Sequence, residues 1–550
     1  QTPFLFDFPL KIYPFIILQY SHLQKLLPLK RKCVAFSNPC DILSIIPHYL
    51  EKHYLLNLIF QLHETSTENK LPPLKSSFYN IKSFFLILNN HIVFLPIYVI
   101  IINMSLYIKL IQPKLLRRPM DTNLKIRMSP PLGLLTIASM LKDKHKIVIQ
   151  NENVESIIYD SPDIVGISVT VDVLPRAIEI AKIFRQKGIK VVAGGIHITT
   201  AYKTIPENSF DVLCVGAAEG TWNKIISDYE NNSLQSIYFC NSNFTGNHII
   251  SPAYELIEKK KYLYFNIVST SRGCPFKCDF CYNSGEHHYY INRRIDDVLK
   301  DIKAINRKHI MFIDDNFFGN KEWLLAFLDK IKPLKIKWNA AASINIAFDT
   351  ALLDLMVECG LQGLFIGFES INSSSIDNVH KIQNQVNKYE EAISNLHERG
   401  IMINASFVFG LDNDTPEVFQ NTLDWIVKNK IETVTSHILT PYPGTELYNK
   451  LSRENRITNY NLSYYNTAHV VYEPKLMSQK ELYNGYLWIY KKIYSWKNII
   501  KRIPKSQKQI LPYLLFNIFY RKFGKFTDFL CSLFSYERIG YFAEKFSKYL

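Results

Sequence analysis

The chain has 550 residues, 47% of them hydrophobic and 21% charged, which is enough to bury more than one core and excludes a globally disordered polypeptide. The formal net charge is +15, yet residues 491–550 alone hold 13 Lys/Arg against 3 Asp/Glu. That asymmetry argues against a uniformly basic nucleic-acid surface and for a local basic tail facing something anionic. Nine cysteines in this length argue against a secreted disulfide scaffold.

The start, Gln1-Thr2-Pro3-Phe4, shows neither an initiator Met nor the basic flank of a signal peptide, so a cytoplasmic protein is expected. Residues 1–95 carry no motif. Short apolar runs (Ile42–Ile46, Leu55–Phe60, Phe84–Leu88) stand in a stretch without glycine, the first glycine of the chain being Gly133. A helical extension, a poorly ordered one, or translated sequence outside the native fold all fit this pattern.

Residues 96–235 alternate strands and helices. Ile97–Ile102 reads as a first strand and Pro131–Leu141 as a helix. The apolar run Ile92–Ile102 is about half the length that a bilayer span requires. Strands are expected at Ile147–Ile149, Ile164–Val169, Lys190–Ala193 and Asp211–Val215, with helices at Pro175–Gln186 and Glu219–Tyr229. Five parallel strands predict a flavodoxin-like, Rossmann-type sheet whose ligand lies beyond the strand C-termini. The segments there are Ser168-Val169-Thr170, Gly194-Gly195-Ile196-His197 and Gly216-Ala217-Ala218-Glu219. Plain tight turns are the competing reading of those glycines.

Residues 236–261 read as a linker. Residues 262–450 repeat strand and helix six times, with strands near Tyr264–Ser269, His309–Ile313, Lys335–Ala341, Gly363–Phe368, Ile401–Phe407 and Thr433–Leu439. Six units predict a partial (β/α)6 barrel with its working groups at the strand C-termini. Residues 451–550 read as helical and basic. Tyr513, Phe516, Phe519, Phe523, Phe526 and Leu530 recur as one amphipathic face, bordered by Lys522 and Lys525.

The sharpest signal is Ser271-Arg272-Gly273-Cys274-Pro275-Phe276-Lys277-Cys278-Asp279-Phe280-Cys281, directly after the first barrel strand. At this cysteine frequency, about 0.002 such three-cysteine matches are expected by chance. Three thiolates suit an iron–sulfur cluster with one open iron. A zinc site needs a fourth ligand, for which His287 and His288 are candidates.

The C-x3-C-x-aromatic-C segment at the end of the first strand of a partial barrel resembles the radical S-adenosylmethionine (SAM) superfamily. The α/β domain before it, with Pro130-Pro131-Leu132-Gly133-Leu134 and the GGIHIT and GAAE loops, resembles that superfamily's cobalamin-binding branch. So do Phe312-Ile313-Asp314-Asp315-Asn316-Phe317, Gly367-Phe368-Glu369-Ser370, Phe409-Gly410-Leu411-Asp412-Asn413-Asp414-Thr415 and Thr440-Pro441-Tyr442-Pro443-Gly444-Thr445. Residues 454–494 are similar to the C-terminal region of a subgroup that includes the hopanoid methylases.

The resemblance implies roles. Cys274, Cys278 and Cys281 would hold a [4Fe–4S] cluster, SAM would chelate the open iron, and Phe280 would lie near the adenine. Ser343 and Glu369 would face SAM, with a structural ion pair as the alternative for Glu369. Ser168, Thr170, Gly194, Gly195, Gly216 and Glu219 would contact cobalamin. Asp314 and Asp315 follow strand two, where helix capping is the alternative. His437 ends strand six. No D-x-H-x-x-G motif is present, as in many such relatives, and His197 is disfavoured as a cobalt ligand.

The resemblance implies C-methylation of an unactivated carbon on a hydrophobic substrate of lipid or triterpenoid type. An electron donor of flavodoxin or ferredoxin type and an anionic membrane surface are the expected partners. A radical SAM cyclase or rearrangement enzyme without methyl transfer is the second reading. A zinc- or cluster-bearing nucleic-acid-binding protein is the third.

Overall fold

The computed structural model describes residues 77–88, 91–101, 105–119, 121, 127, 129–240, 243–284, 289–520 and 533–547. Two compact units divide between Ser105 and Leu106. In the first, strands β1 (Ser77–Leu88) and β2 (His91–Ile101) pair antiparallel, from Ser77 opposite Ile101 to Leu88 opposite His91. Ile97–Ile102 is therefore not the first strand of the α/β sheet; most of it belongs to this hairpin.

The second unit begins with that sheet. Its strands are β3 (Tyr107–Gln112), β4 (Lys146–Asn151), β5 (Ile164–Ser168), β6 (Lys190–Gly194), β7 (Val212–Val215) and β8 (Ile237–Phe239), ordered β4-β3-β5-β6-β7-β8. All pairs are parallel. This is the flavodoxin-like order with one strand more than the five expected, and β8 lies in the stretch read as a linker. Alternation along the strands divides the core. Ile108, Leu110 and Ile164 face helices α1 (Leu132–Leu141) and α4 (Trp222–Glu230); Ile111, Val165 and Ile167 face α2 (Leu174–Gln186) and α3 (Ile196–Ala201). Gly166 leaves the space that the Trp222 ring fills, since a Cβ there would lie 2.8 Å from it.

The second sheet contains β9 (Ile267–Val268), β12 (His309–Phe312), β13 (Lys337–Ala342), β14 (Leu361–Glu369), β15 (Met402–Phe409) and β16 (Thr433–Ile438). Its order runs sequentially from β9 at one edge to β16 at the other, all parallel. This is the open six-stranded barrel that the sequence predicts. Its outer face buries Leu364, Ile366 and Phe368 of β14 against the helical layer. The inner face stays accessible: Phe365 is 38% exposed in mid-strand, between Gly363 and Gly367 at its two-residue neighbours. An eight-stranded barrel would fill that space with side chains.

Helix α12 (Gln479–Ile493) supports the open edge. Tyr494, just past its end, accepts from Val434 N and donates to Val434 O, at 3.1 and 2.6 Å, and Ser436 N donates to Tyr490 Oη at 3.2 Å. These bonds occupy edge groups that would otherwise be open to pairing.

The C-terminal face differs from expectation. In α14 (Gln507–Tyr520), Tyr513 and Asn517 are fully buried while Phe516 is 37% exposed. The two aromatics thus do not share one face. Asn517 is inside because it bonds Arg502 and the Glu432 carbonyl. Phe523, Phe526, Leu530, Lys522 and Lys525 lie outside the described residues.

Candidate functional site

Residues 274–284 leave the sheet through a small hairpin, β10 (Ser271–Gly273) paired with β11 (Tyr290–Asn292). Gly273 has φ +78°, and a Cβ there would lie 1.9 Å from the Tyr289 carbonyl, so only glycine fits immediately before Cys274. Asp314 fixes the entry to this hairpin. Its buried carboxylate accepts from Thr270 N at 2.7 Å, Thr270 Oγ1 at 3.1 Å and Ser271 Oγ at 2.8 Å, and from Ser271 N. Asp314 is therefore a clamp on the loop; the cap of the next helix, α6 (Lys321–Ile331), is Asn320.

Cys274, Cys278 and Cys281 are free thiols. Burial pushes all three up, Cys281 to about 12, while Lys381 pulls Cys278 the other way. Among the described residues no three His, Cys, Asp or Glu side chains converge on a single metal ion. Thiols spaced along one loop fit the separate corners of a cluster. His287 and His288 lie outside the described residues. Asn316 holds the Cys274 thiol down against burial, and Gln383 Nε2 donates to Cys278 Sγ at 3.5 Å. The loop thus meets the C-terminal ends of β12 and β14.

Glu369 ends β14 in the left-handed region, φ +62°, a strained position for a non-glycine residue. Its carboxylate pairs with Lys381, whose ammonium also donates to Gly367 O at 3.0 Å. The ion pair weighed in the sequence is present. Ser343 follows β13 and its hydroxyl accepts from Asn316 Nδ2 at 3.4 Å. Phe280 is half-buried against the barrel core. Asp315 is partly open to solvent, and the burial of its carboxyl raises it while Asn283 and Arg272 pull it down. Ile313, 44% exposed, and Phe365 give the accessible part of the barrel an apolar character.

The α/β sheet meets this loop with its C-terminal edge. Arg272 Nη2 donates to Glu219 Oε1 at 3.0 Å. Tyr282, next to Cys281, stacks on Tyr442 with ring centroids 4.3 Å apart and planes at 15°. Both rings pack with Val171, just beyond β5. Thr170 Oγ1 donates to Asp172 Oδ1 at 2.6 Å, and burial raises the Asp172 carboxyl. His437 hydrogen-bonds Thr467, a β-branched residue at φ +63° whose hydroxyl also accepts from Arg118 Nη1 at 3.4 Å. Segment 454–478 therefore ties the end of β16 to the α/β domain.

The structure brings Glu219 to the cysteine loop, but its carboxylate is engaged by Arg272. Thr170 is engaged by Asp172. Gly195 and Gly216 adopt φ +110° and +92°, and their missing Cβ atoms make room for Val169 and Cys240, so protein packing accounts for both. Ser168 and Gly194 pair as the ends of β5 and β6 at the same edge. His197 is fully buried, neither ring nitrogen has a hydrogen-bond partner, and burial pushes it down to about 4. Sealed inside, it presents no nitrogen to a ligand at this edge. Lys381, Gln383 and Thr467 carried no local sequence signal. Arg272 stood in the quoted motif without a role.

Three free thiols thus stand where a partial barrel meets the C-terminal edge of a parallel α/β sheet, a layout of two α/β domains facing one loop. Residues 268–426 match the radical SAM superfamily, residues 128–226 the B12 binding domain, and residues 445–545 a domain of unknown function (DUF4070). The bacteriochlorophyllide d C-8(2)-methyltransferase of Chlorobaculum tepidum is 30% identical over 418 residues, spanning 71% of this chain and 91% of that protein. The hopanoid C-2 methylase of Rhodopseudomonas palustris is 27% identical over 348 residues, spanning 60% and 66%. The cobalamin-dependent SAM radical enzyme OxsB, solved with aqua-cobalamin and SAM bound, shares the fold with TM-score 0.58 and 13% identity, over 87% of this chain and 84% of that one. The chain belongs to the cobalamin-dependent radical SAM methyltransferase family, whose cofactors are a [4Fe–4S] cluster, SAM and cobalamin.

Proposed function

We propose that this enzyme methylates an unactivated carbon of a hydrophobic substrate. The observation that carries the reading is the Arg272–Glu219 contact, which joins the cysteine loop to the edge of the α/β sheet. When bound, the cluster and SAM supply a carbon-centred radical, and cobalamin carries the methyl group. Cys274, Cys278 and Cys281 hold the cluster by three thiolates. Glu369 and Ser343 accept hydrogen bonds from SAM's ammonium or ribose hydroxyls, and Phe280 flanks its adenine. Ser168, Thr170, Gly194, Gly195, Gly216 and Glu219 line the cobalamin side, with Glu219 acting through Arg272. Ile313 and Phe365 present apolar surface to the substrate. The Tyr282–Tyr442 stack excludes water between the two cofactor regions. The electron donor would be a protein of flavodoxin or ferredoxin type.

Anaerobically reconstituted protein is the test. It should bind cobalamin and convert SAM to both 5′-deoxyadenosine and S-adenosylhomocysteine. Formation of 5′-deoxyadenosine without S-adenosylhomocysteine would favour the cyclase or rearrangement reading.

A further inference from the structure

Helix α13 (Trp496–Lys501) turns one side inward and the other out. Ile499 and the following Arg502 are fully buried, which sets its rotation. Arg502 donates to Ile431 O at 2.7 Å and Ile493 O at 2.8 Å, and to Asn517 Oδ1 at 3.1 Å, so the short helix is bolted to the body. Ser495 caps its start by accepting from Asn498 N. The outward side then carries Trp496, 46% exposed, and Ile500, 63% exposed, beside exposed Lys497 and Lys501.

Lysines continue on both flanks. Lys491, Lys492, Lys505 and Lys508 are also exposed, and residues 482–527 contain no Asp or Glu. Leu511 and Phe516 on α14 are exposed as well, at 43% and 37%.

We propose that this α13 surface docks on an anionic lipid bilayer. Trp and Ile need an apolar phase, and a tryptophan ring suits the headgroup boundary. Lys497 and Lys501 on the helix, flanked by four more exposed lysines in a stretch with no Asp or Glu, complement a negative surface potential. A second copy of the chain is a poor occupant, because it would oppose the same six positive charges. A nucleic acid would satisfy the lysines and leave Ile500 in water. The surface differs from the aromatic face expected at 513–530, where Tyr513 proves to be buried. Among the described residues no helix is long and apolar enough to cross a membrane, so contact would be at the interface. The proposal deepens the hydrophobic-substrate reading and rests on it only for its purpose: an enzyme on the bilayer surface meets its substrate where that substrate partitions.

The test is sedimentation of the full chain with vesicles of phosphatidylglycerol and phosphatidylcholine, and with phosphatidylcholine alone. Wild type, Trp496→Ser/Ile500→Ser and Lys497→Gln/Lys501→Gln are compared at low salt and at roughly 0.5 M salt. Wild type should pellet with the anionic vesicles at low salt. Each double variant should lose about tenfold or more in affinity, and the remaining binding should fall with salt. All three proteins should keep the same thermal midpoint and the same conversion of SAM to 5′-deoxyadenosine, which separates this test from that of the catalytic reading. Absence of pelleting, equal pelleting by the variants, or a wild-type dimer abolished by Trp496→Ser/Ile500→Ser would overturn the proposal.

Discussion

Arg272 reaches from the cysteine hairpin to Glu219, 53 residues earlier in the chain, and bonds its carboxylate at 3.0 Å. The Glu219 side chain is 1% exposed and that of Arg272 is 30% exposed. The loop that bears the thiols and the loop after β7 thus share one buried charge.

Removing the cation leaves that carboxylate without compensation. Arg272→Ala should destabilise the fold by about 1–3 kcal/mol, less than a fully sealed pair because solvent screens one side. The two cofactor regions should also lose their mutual placement. S-adenosylhomocysteine production should fall at least tenfold further than 5′-deoxyadenosine production. Adding Glu219→Gln should restore much of the stability without restoring the product ratio. Urea unfolding and product analysis of the single and double variants check this.

Asp314 supports the hairpin from beneath. Asp314→Ala would strand the Thr270 and Ser271 amides, both residues being nearly inaccessible. A loss of about 3 kcal/mol is expected. Iron bound per chain after anaerobic reconstitution should drop with it. Full iron loading in a folded Asp314→Ala protein would contradict the clamp.

One fully buried histidine and one half-buried histidine set a pH response. His197 and His309 are both pushed down to about 4 by burial, well below the ordinary value of about 6.5. The unfolded chain therefore binds more protons between these limits. Stability from each is present above pH ~6.5 and is lost as pH falls toward 4, by about 3 kcal/mol per histidine. His197→Leu should remove its share of that slope. Because neither His197 nitrogen has a partner to lose, the variant should be at least as stable at pH 7 and should still bind cobalamin. Loss of cobalamin by a folded His197→Leu protein would restore the histidine as a ligand.

Glu369 pairs with Lys381 at the end of β14. With Glu369 facing SAM as proposed, Glu369→Gln would weaken a charge-assisted bond to it, and KM for SAM should rise about tenfold. Cobalamin affinity should stay unchanged, since the Glu369 end of β14 is paired toward Lys381 and the cysteine loop. Equal KM values for wild type and variant would remove Glu369 from the SAM side.

The barrel was legible because β12 to β16 are apolar runs of the right length between amphipathic helices. Strand β3 was not. Its Lys109 interrupts the apolar pattern, yet the side chain is 1% exposed, pairing with Asp160 and donating to Ile158 O at 2.6 Å. A buried lysine with a distant partner reads as a surface residue, and the more apolar segment at 97–102 took its place. The cysteines were legible because their spacing is local. The contacts of Lys381, Arg272 and Thr467 were not, since Lys381 meets Glu369 12 residues away, Arg272 meets Glu219 53 away and Thr467 meets His437 30 away, and only the folded chain shows them. At the C-terminus, aromatic periodicity suggested one face, but a hydrogen bond from buried Arg502 pulled Asn517 inward and left Phe516 outside.

The central claim is methyl transfer by a cluster-bearing, cobalamin-loaded enzyme. Its most direct test is the product balance of the anaerobically reconstituted protein, with reductant and SAM, beside Cys278→Ala. Wild type should release 5′-deoxyadenosine and S-adenosylhomocysteine together and carry cobalamin, while Cys278→Ala should release no 5′-deoxyadenosine. Undiminished 5′-deoxyadenosine from Cys278→Ala, or a wild-type protein that binds no cobalamin and cleaves no SAM, would contradict the account.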